Sequence, residues 1–158
     1  MTEEDKEFMR RAIALAQKGV DDDLGGPFGC VIAKNGQIIG EGCNRVTSAN
    51  DPTPHAEIVA VREACRNLNS FQLDGCVIYT SCEPCPMCLG AIYWARPAAI
   101  FFAGTRKDAA AAGFDDELFY SELDKPHDQR QLKMVSLLRD EAKKVFENWA
   151  AKPDKVEY

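Results

Sequence analysis

Residues 76–104 read CVIYTSCEPCPMCLGAIYWARPAAIFFAG. Cys76 to Thr80 is a short apolar and β-branched run, which predicts a buried strand. Cys85-Pro86 then supplies a capping position followed by proline at the first helical position, and predicts a helix through Ala95. Ile100 to Ala103 reads as a second strand. Strand, helix and strand in that order predict a parallel pair joined by a crossover helix. Cys85 and Cys88, three apart in the first turn of that helix, project to one side of it.

Upstream, Thr53 and Pro54 read as an N-cap and first helical residue, and Ile58, Val61, Cys65 and Leu68 carry an apolar stripe along a helix that begins with His55. Before it, Phe28 to Lys34 and Gln37 to Asn44 predict two antiparallel strands turned by Asn35-Gly36, the strongest short hairpin signal. Thr2 and Asp5 form a capping-box pattern, and Phe8, Ala12, Leu15 and Ala16 predict a helix from about residue 3 to Gly19. Downstream, residues 108–123 read as helix and loop around Gly113. Leu132 to Leu138 reads as a fifth strand, and Arg139 to Lys152 as an amphipathic helix through Val145, Phe146 and Trp149. The expected architecture is an α/β, three-layer α-β-α domain with a central mixed five-stranded sheet over residues 1–152, followed by a tail, 153–158.

At 158 residues one core suffices, and 46% hydrophobic with 28% charged content is average globular usage. No apolar run is long enough to cross a bilayer, and MTEEDKEFMRR has neither the basic start nor the apolar stretch of a secretory leader. A cytoplasmic protein is expected. Seven cysteines without an export signal argue for packing or chemistry rather than disulfides. Nineteen basic against twenty-five acidic residues give a formal charge of −6, which repels phosphate backbones and weighs against nucleic acid as a partner.

His55-Ala56-Glu57 and Pro84-Cys85-Pro86-Met87-Cys88 together have the His-x-Glu and Pro-Cys-x-x-Cys spacing of zinc nucleobase deaminases. A helix N-terminus lowers thiol pKa and favours the thiolates zinc requires. His55, Cys85 and Cys88 make three ligands, which leaves an open position for water, as in catalytic zinc sites. Glu57, two positions after His55, points away from the ion and suits a proton carrier. Cys82 is the candidate fourth ligand of a closed, structural site. Cys30, Cys43, Cys65 and Cys76 read as core fillers.

The stretches GGPFG (25–29), NDPTPHAE (50–57), YTSCEPCPMCLGAIYWARP (79–97) and AGFDD (112–116), with the terminal Tyr158, resemble the guanine deaminases of the cytidine deaminase-like fold. The resemblance runs from about residue 8 to about 124 and departs from the family at Pro54 and in residues 104–107. It implies one zinc per subunit on His55, Cys85 and Cys88, and Glu57 as proton shuttle with Asp116 as a second carboxylate. It implies Asn44, Ala56, Phe28, Trp94 and Tyr158 as substrate-binding residues, and a homodimer whose C-terminal tails are exchanged. The expected reaction is hydrolysis of guanine to xanthine and ammonia. Alternatives are a deaminase of cytosine, guanosine, ammeline or tRNA adenosine, and, from a different class, a non-catalytic zinc-stabilised binding protein.

Overall fold

The backbone N–H of Asp5 donates to the Thr2 hydroxyl while the Asp5 carboxylate accepts from the Thr2 N–H. This capping box, as the sequence predicts, starts helix α1 (Glu3–Asp21). Strands β1 (Gly29–Lys34) and β2 (Gln37–Cys43) follow as an antiparallel hairpin. Its turn residues Asn35 and Gly36 have φ of 51° and 75°, the left-handed pair that a two-residue hairpin loop demands. After a one-turn helix, α2 (Val46–Ala49), come α3 (Ala56–Leu68), β3 (Val77–Cys82), α4 (Pro86–Ala95), β4 (Ala99–Gly104) and α5 (Arg106–Ala111). The second half of the chain adds α6 (Glu117–Leu123), a 3-10 turn (His127–Gln129) and α7 (Arg139–Ala151). The computed structural model describes residues 1–158 and divides them into two compact units, Met1–Asp116 and Glu117–Tyr158.

In the first unit the sheet order is β2-β1-β3-β4. β1 pairs antiparallel with both β2 and β3, whereas β3 and β4 run parallel across α4, so the sheet is mixed and its βαβ portion is the one residues 76–104 predict. Alternation along the strands makes two cores. Cys30, Ile32 and Ile78 face Ala56, Ala60, Ala64, Ile92 and Ala95 of α3 and α4. Val31, Ala33 and Tyr79 face Ala12 of α1, with Phe8 and Leu15 packed beside them. Helices therefore cover both faces.

One contact fixes α3 closely. A Cβ on Gly42 would lie 2.3 Å from the Ala56 carbonyl, and one on Gly40 would lie 2.5 Å from that of Ala60. Glycines on β2 and alanines on α3 let the two backbones approach to a distance no larger side chain permits, and this seam carries the first turn of α3 to the edge of the sheet.

The expected fifth strand is corrected: the sheet has four strands, and residues 132–138 adopt no regular structure. Leu132 to Leu138 has strand-like composition, yet a strand exists only by pairing, and the second unit contains no other strand to pair with. No helix is long and apolar enough to cross a membrane.

Candidate metal centre

His55 is the N-cap of α3 and Cys85 the N-cap of α4, both in extended conformation with ψ of 158° and 166°. The sequence places the cap of α3 at Thr53; it lies two residues later. The Thr53 N–H donates to Asp51 Oδ1, and the His55 N–H donates to the Thr53 carbonyl, which spends one more tight turn before the helix begins. That turn aims the imidazole at the start of α4. His55 Nδ1 is 3.6 Å from both Cys85 Sγ and Cys88 Sγ, and the three donor atoms lie within 4.8 Å of one another. Zinc bonds of about 2.3 Å to sulfur and about 2.0–2.1 Å to nitrogen, set at a tetrahedral angle, separate N from S by about 3.6 Å. The donor set and its spacing fit zinc.

Cys82 does not join this group. Its thiol donates to the Thr105 carbonyl at 3.6 Å and is pushed up to about 11, chiefly by burial. The reading of Cys82 as a fourth ligand therefore fails. The remaining thiols act as fillers: Cys30, Cys43 and Cys76 are buried, and Cys65 packs against the core.

Protons are unevenly held among the three donors. Hydrogen bonding to Cys88, and after it to His55, draws Cys85 down to about 4 against the opposing effect of burial. Cys88 is pushed up by the same partner and by its own burial, and the His55 imidazole is raised by its bond to Cys85. A divalent cation among them displaces these protons and lowers both thiols.

Glu57 stands in the first turn of α3 and is 6% exposed. The helix N-terminus favours its carboxylate, but burial outweighs this and raises the carboxyl above the usual range. Its side chain also bonds Cys88, so the acid adjoins the metal-binding thiols. Asp116 is raised mainly by desolvation and next by the charge of Cys85, which brings a second carboxyl into the same electrostatic neighbourhood.

Asn44 is buried at the end of β2; its backbone N–H donates to the Phe28 carbonyl at 3.0 Å, and the next residue, Arg45, donates to the Pro54 carbonyl beside His55. Phe28 packs edge-on against Phe114, with ring centroids 5.0 Å apart, tying the GGPFG loop to the AGFDD segment. Ala56 is fully buried at the first position of α3. Trp94 is not brought to the metal ligands of its own chain: nine residues beyond Cys85, it lies about 13 Å further along α4 and is 63% exposed. Tyr158 ends the second unit with 67% of its surface exposed.

Two supporting groups escape a reading of the sequence. Ser81 accepts the Gly29 N–H, joining β1 to the end of β3, and the Glu83 carboxylate accepts the Arg106 N–H at the start of α5. Both fall inside the 79–97 stretch, yet neither residue type announces the bond it makes. Only the register of β1 against β3 reveals the first.

The model of the cytidine and deoxycytidylate deaminase zinc-binding region matches residues 2–104. The chain is 54% identical over 151 residues to the guanine deaminase of Bacillus subtilis (strain 168), covering 96% of this chain and 97% of that one. The X-ray structure of guanine deaminase from Bacillus subtilis superimposes with a TM-score of 0.94 at 53% identity, covering 97% of this chain and 98% of that one. A tRNA-specific adenosine deaminase of Buchnera aphidicola subsp. Schizaphis graminum is 36% identical over 124 residues, which is 78% of this chain and 79% of that one. By the match of the family model, by these identities over most of its length and by a donor set that fits the metal, the chain belongs to the cytidine and deoxycytidylate deaminase zinc-binding family, with zinc as its cofactor.

Proposed function

We propose that the chain hydrolyses guanine to xanthine and ammonia. The observation that carries the chemistry is a buried carboxyl, Glu57, set against a His-Cys-Cys donor set spaced for zinc. The choice of guanine rests on the near-full-length similarity to the Bacillus subtilis enzyme.

His55, Cys85 and Cys88 hold the metal. When bound, zinc supplies Lewis-acid activation of water near neutral pH. Glu57 takes a proton from the attacking water at a carboxyl oxygen and returns it to the ring nitrogen as C2 becomes tetrahedral. A second proton reaches the departing amine through Glu57 and Asp116, so one water is consumed and one ammonia released. Burial that raises both carboxyls suits groups that must accept and give back a proton at neutral pH. Asn44, Phe28 and Ala56 bind the base. A cytoplasmic location accords with seven cysteines of which none is paired in a disulfide.

Ammonia release from guanine, guanosine, adenine, cytosine and ammeline tests this reading. Guanine is expected to be turned over fastest, by about a hundredfold or more in kcat/KM, because a site that hydrogen-bonds one base leaves polar groups unpaired on another. Release from the other bases but none from guanine would discard the substrate and keep the chemistry. A tRNA substrate fits the −6 balance poorly.

We further propose that the chain is a single deaminase domain working as a homodimer, in which the tail 153–158 closes a partner's site and Trp94 and Tyr158 border the base there. In support, Phe119, Leu132, Val135, Leu137, Phe146 and Tyr93 are each more than half exposed in one chain, an excess of apolar surface that a second copy would cover. Light scattering is expected to give twice the 17.5 kDa chain mass. A chain lacking residues 153–158 and a Glu57→Gln chain, each inactive alone, are expected to regain turnover when refolded together. A monomer, or no recovery, would refute exchange.

A further inference from the structure

Asn44 is 5% exposed, and its side-chain Oδ1 accepts from two backbone groups, the Gly26 N–H at 3.2 Å and the Val46 N–H at 3.1 Å. A backbone N–H only donates, so the atom in this cradle is the carbonyl oxygen and the amide cannot be turned over without setting donors against donors. The Nδ2 amine therefore occupies the opposite side, where neither of the carboxamide's hydrogen bonds engages it and where it is not sealed from solvent. The group is a pure donor toward whatever lies there.

What permits this arrangement is the residue before the cradle. A Cβ on Gly25 would lie 2.3 Å from Asn44 Oδ1, 2.8 Å from the Asn44 carbonyl oxygen and 2.9 Å from its carbonyl carbon. All three clashes are with Asn44. Gly25 does not have the positive φ that reserves a position for glycine, so space and not backbone strain is what it provides. Gly26 differs, because the nearest atoms to a Cβ there are ring carbons of Phe28 and Phe114, at 3.1–3.2 Å.

We propose that Gly25 is a positioning residue acting through Asn44: its missing side chain lets the carboxamide oxygen seat in the Gly26–Val46 cradle, so that Asn44 shows the base only N–H donors and selects bases with a hydrogen-bond acceptor on that edge. This rests on the deaminase reading and on Asn44 as a substrate contact. An added methyl group displaces the carboxamide, and a misplacement near 1 Å costs on the order of a hundredfold in rate.

The test is a double-mutant cycle of Gly25→Ala and Asn44→Ala, measured as kcat/KM on whichever base the parent chain deaminates, with zinc content and thermal midpoint recorded for each variant. Gly25→Ala is expected to lose about a hundredfold in kcat/KM while keeping one zinc per chain. Adding it to Asn44→Ala, where the side-chain clash at 2.3 Å is gone and only the main-chain contacts at 2.8 and 2.9 Å persist, is expected to cost less than about tenfold more. Parent-like kcat/KM in Gly25→Ala, or losses that add in the double variant, would overturn the proposal. A parent that deaminates a base other than guanine refutes the guanine reading alone, because the cycle is then run on that base. Should Gly25→Ala fail to fold, Asn44→Asp decides the orientation, since its carboxylate still fills the cradle but shows an acceptor to the base. Loss of at least a hundredfold with the midpoint retained supports the proposal, and retained turnover sinks it.

Discussion

Glu57→Gln is expected to bind one zinc per chain, to melt at or slightly above the parent's temperature, and to lose ~10²–10⁴-fold in kcat, the range that a positioned acid-base group supplies. Its direction follows from burial. The carboxyl is 6% exposed and raised above its ordinary range chiefly by desolvation, so the folded chain bears a cost for carrying it charged. Glutamine keeps the shape and the hydrogen-bonding capacity but neither takes nor returns a proton, and the rate falls while the fold does not suffer. Metal analysis, calorimetry and steady-state rates on one preparation decide the matter. A variant within tenfold of the parent would remove Glu57 from proton transfer, and one that lost its zinc would make it a support of the metal site instead.

Cys85→Ser is expected to abolish stoichiometric zinc, with turnover falling to background. His55, Cys85 and Cys88 are the one group of three whose donor atoms converge, and Cys82, the fourth ligand the sequence suggests, is committed to the Thr105 carbonyl. Removing one thiolate leaves two donors, too few for the three protein ligands of a catalytic zinc. A thermodynamic signature accompanies the loss. A ligand held at a thousandfold above its Kd stabilises the native state by about 4 kcal/mol, which in a chain of this length corresponds to about 8–16 °C in Tm. Chelation is expected to lower the parent's midpoint by that order and to leave the Cys85→Ser midpoint unchanged. If the serine variant still carried one zinc per chain, the metal would be held by other groups and the site as described would be wrong.

The sequence reveals most where a local signal coincides with what the tertiary structure needs. Asn35-Gly36 gives the hairpin because its two backbone conformations are required by the twist of the flanking strands. Cys85-Pro86 gives the start of α4 because a cap and a proline suit that helix whatever surrounds it. The metal group is legible for the same reason: both cysteines lie within one turn, and the histidine caps the start of its helix. Elsewhere the local signal yields to a distant partner. Thr53 is a better cap than His55 by propensity, yet the imidazole must face α4, and the helix starts where that becomes possible. Leu132 to Leu138 has the composition of a strand and lacks a neighbour to make it one. The Gly25 contact is invisible because nothing in a glycine says which side chain will lie against it.

The seam between Gly40 and Gly42 of β2 and Ala56 and Ala60 of α3 has a bearing on how this chain tolerates change. Where side chains interdigitate, a mutation is absorbed by repacking; where main chain rests on main chain, one extra methyl group must move the whole helix. Because His55 and Glu57 ride at the near end of that helix, crowding at Gly40 or Gly42 is transmitted as a translation of the reacting groups. Catalytic precision is thereby borrowed from two strand glycines that hold neither metal nor base, and thermostable versions of the chain are better sought by redesigning α7 than by filling this joint.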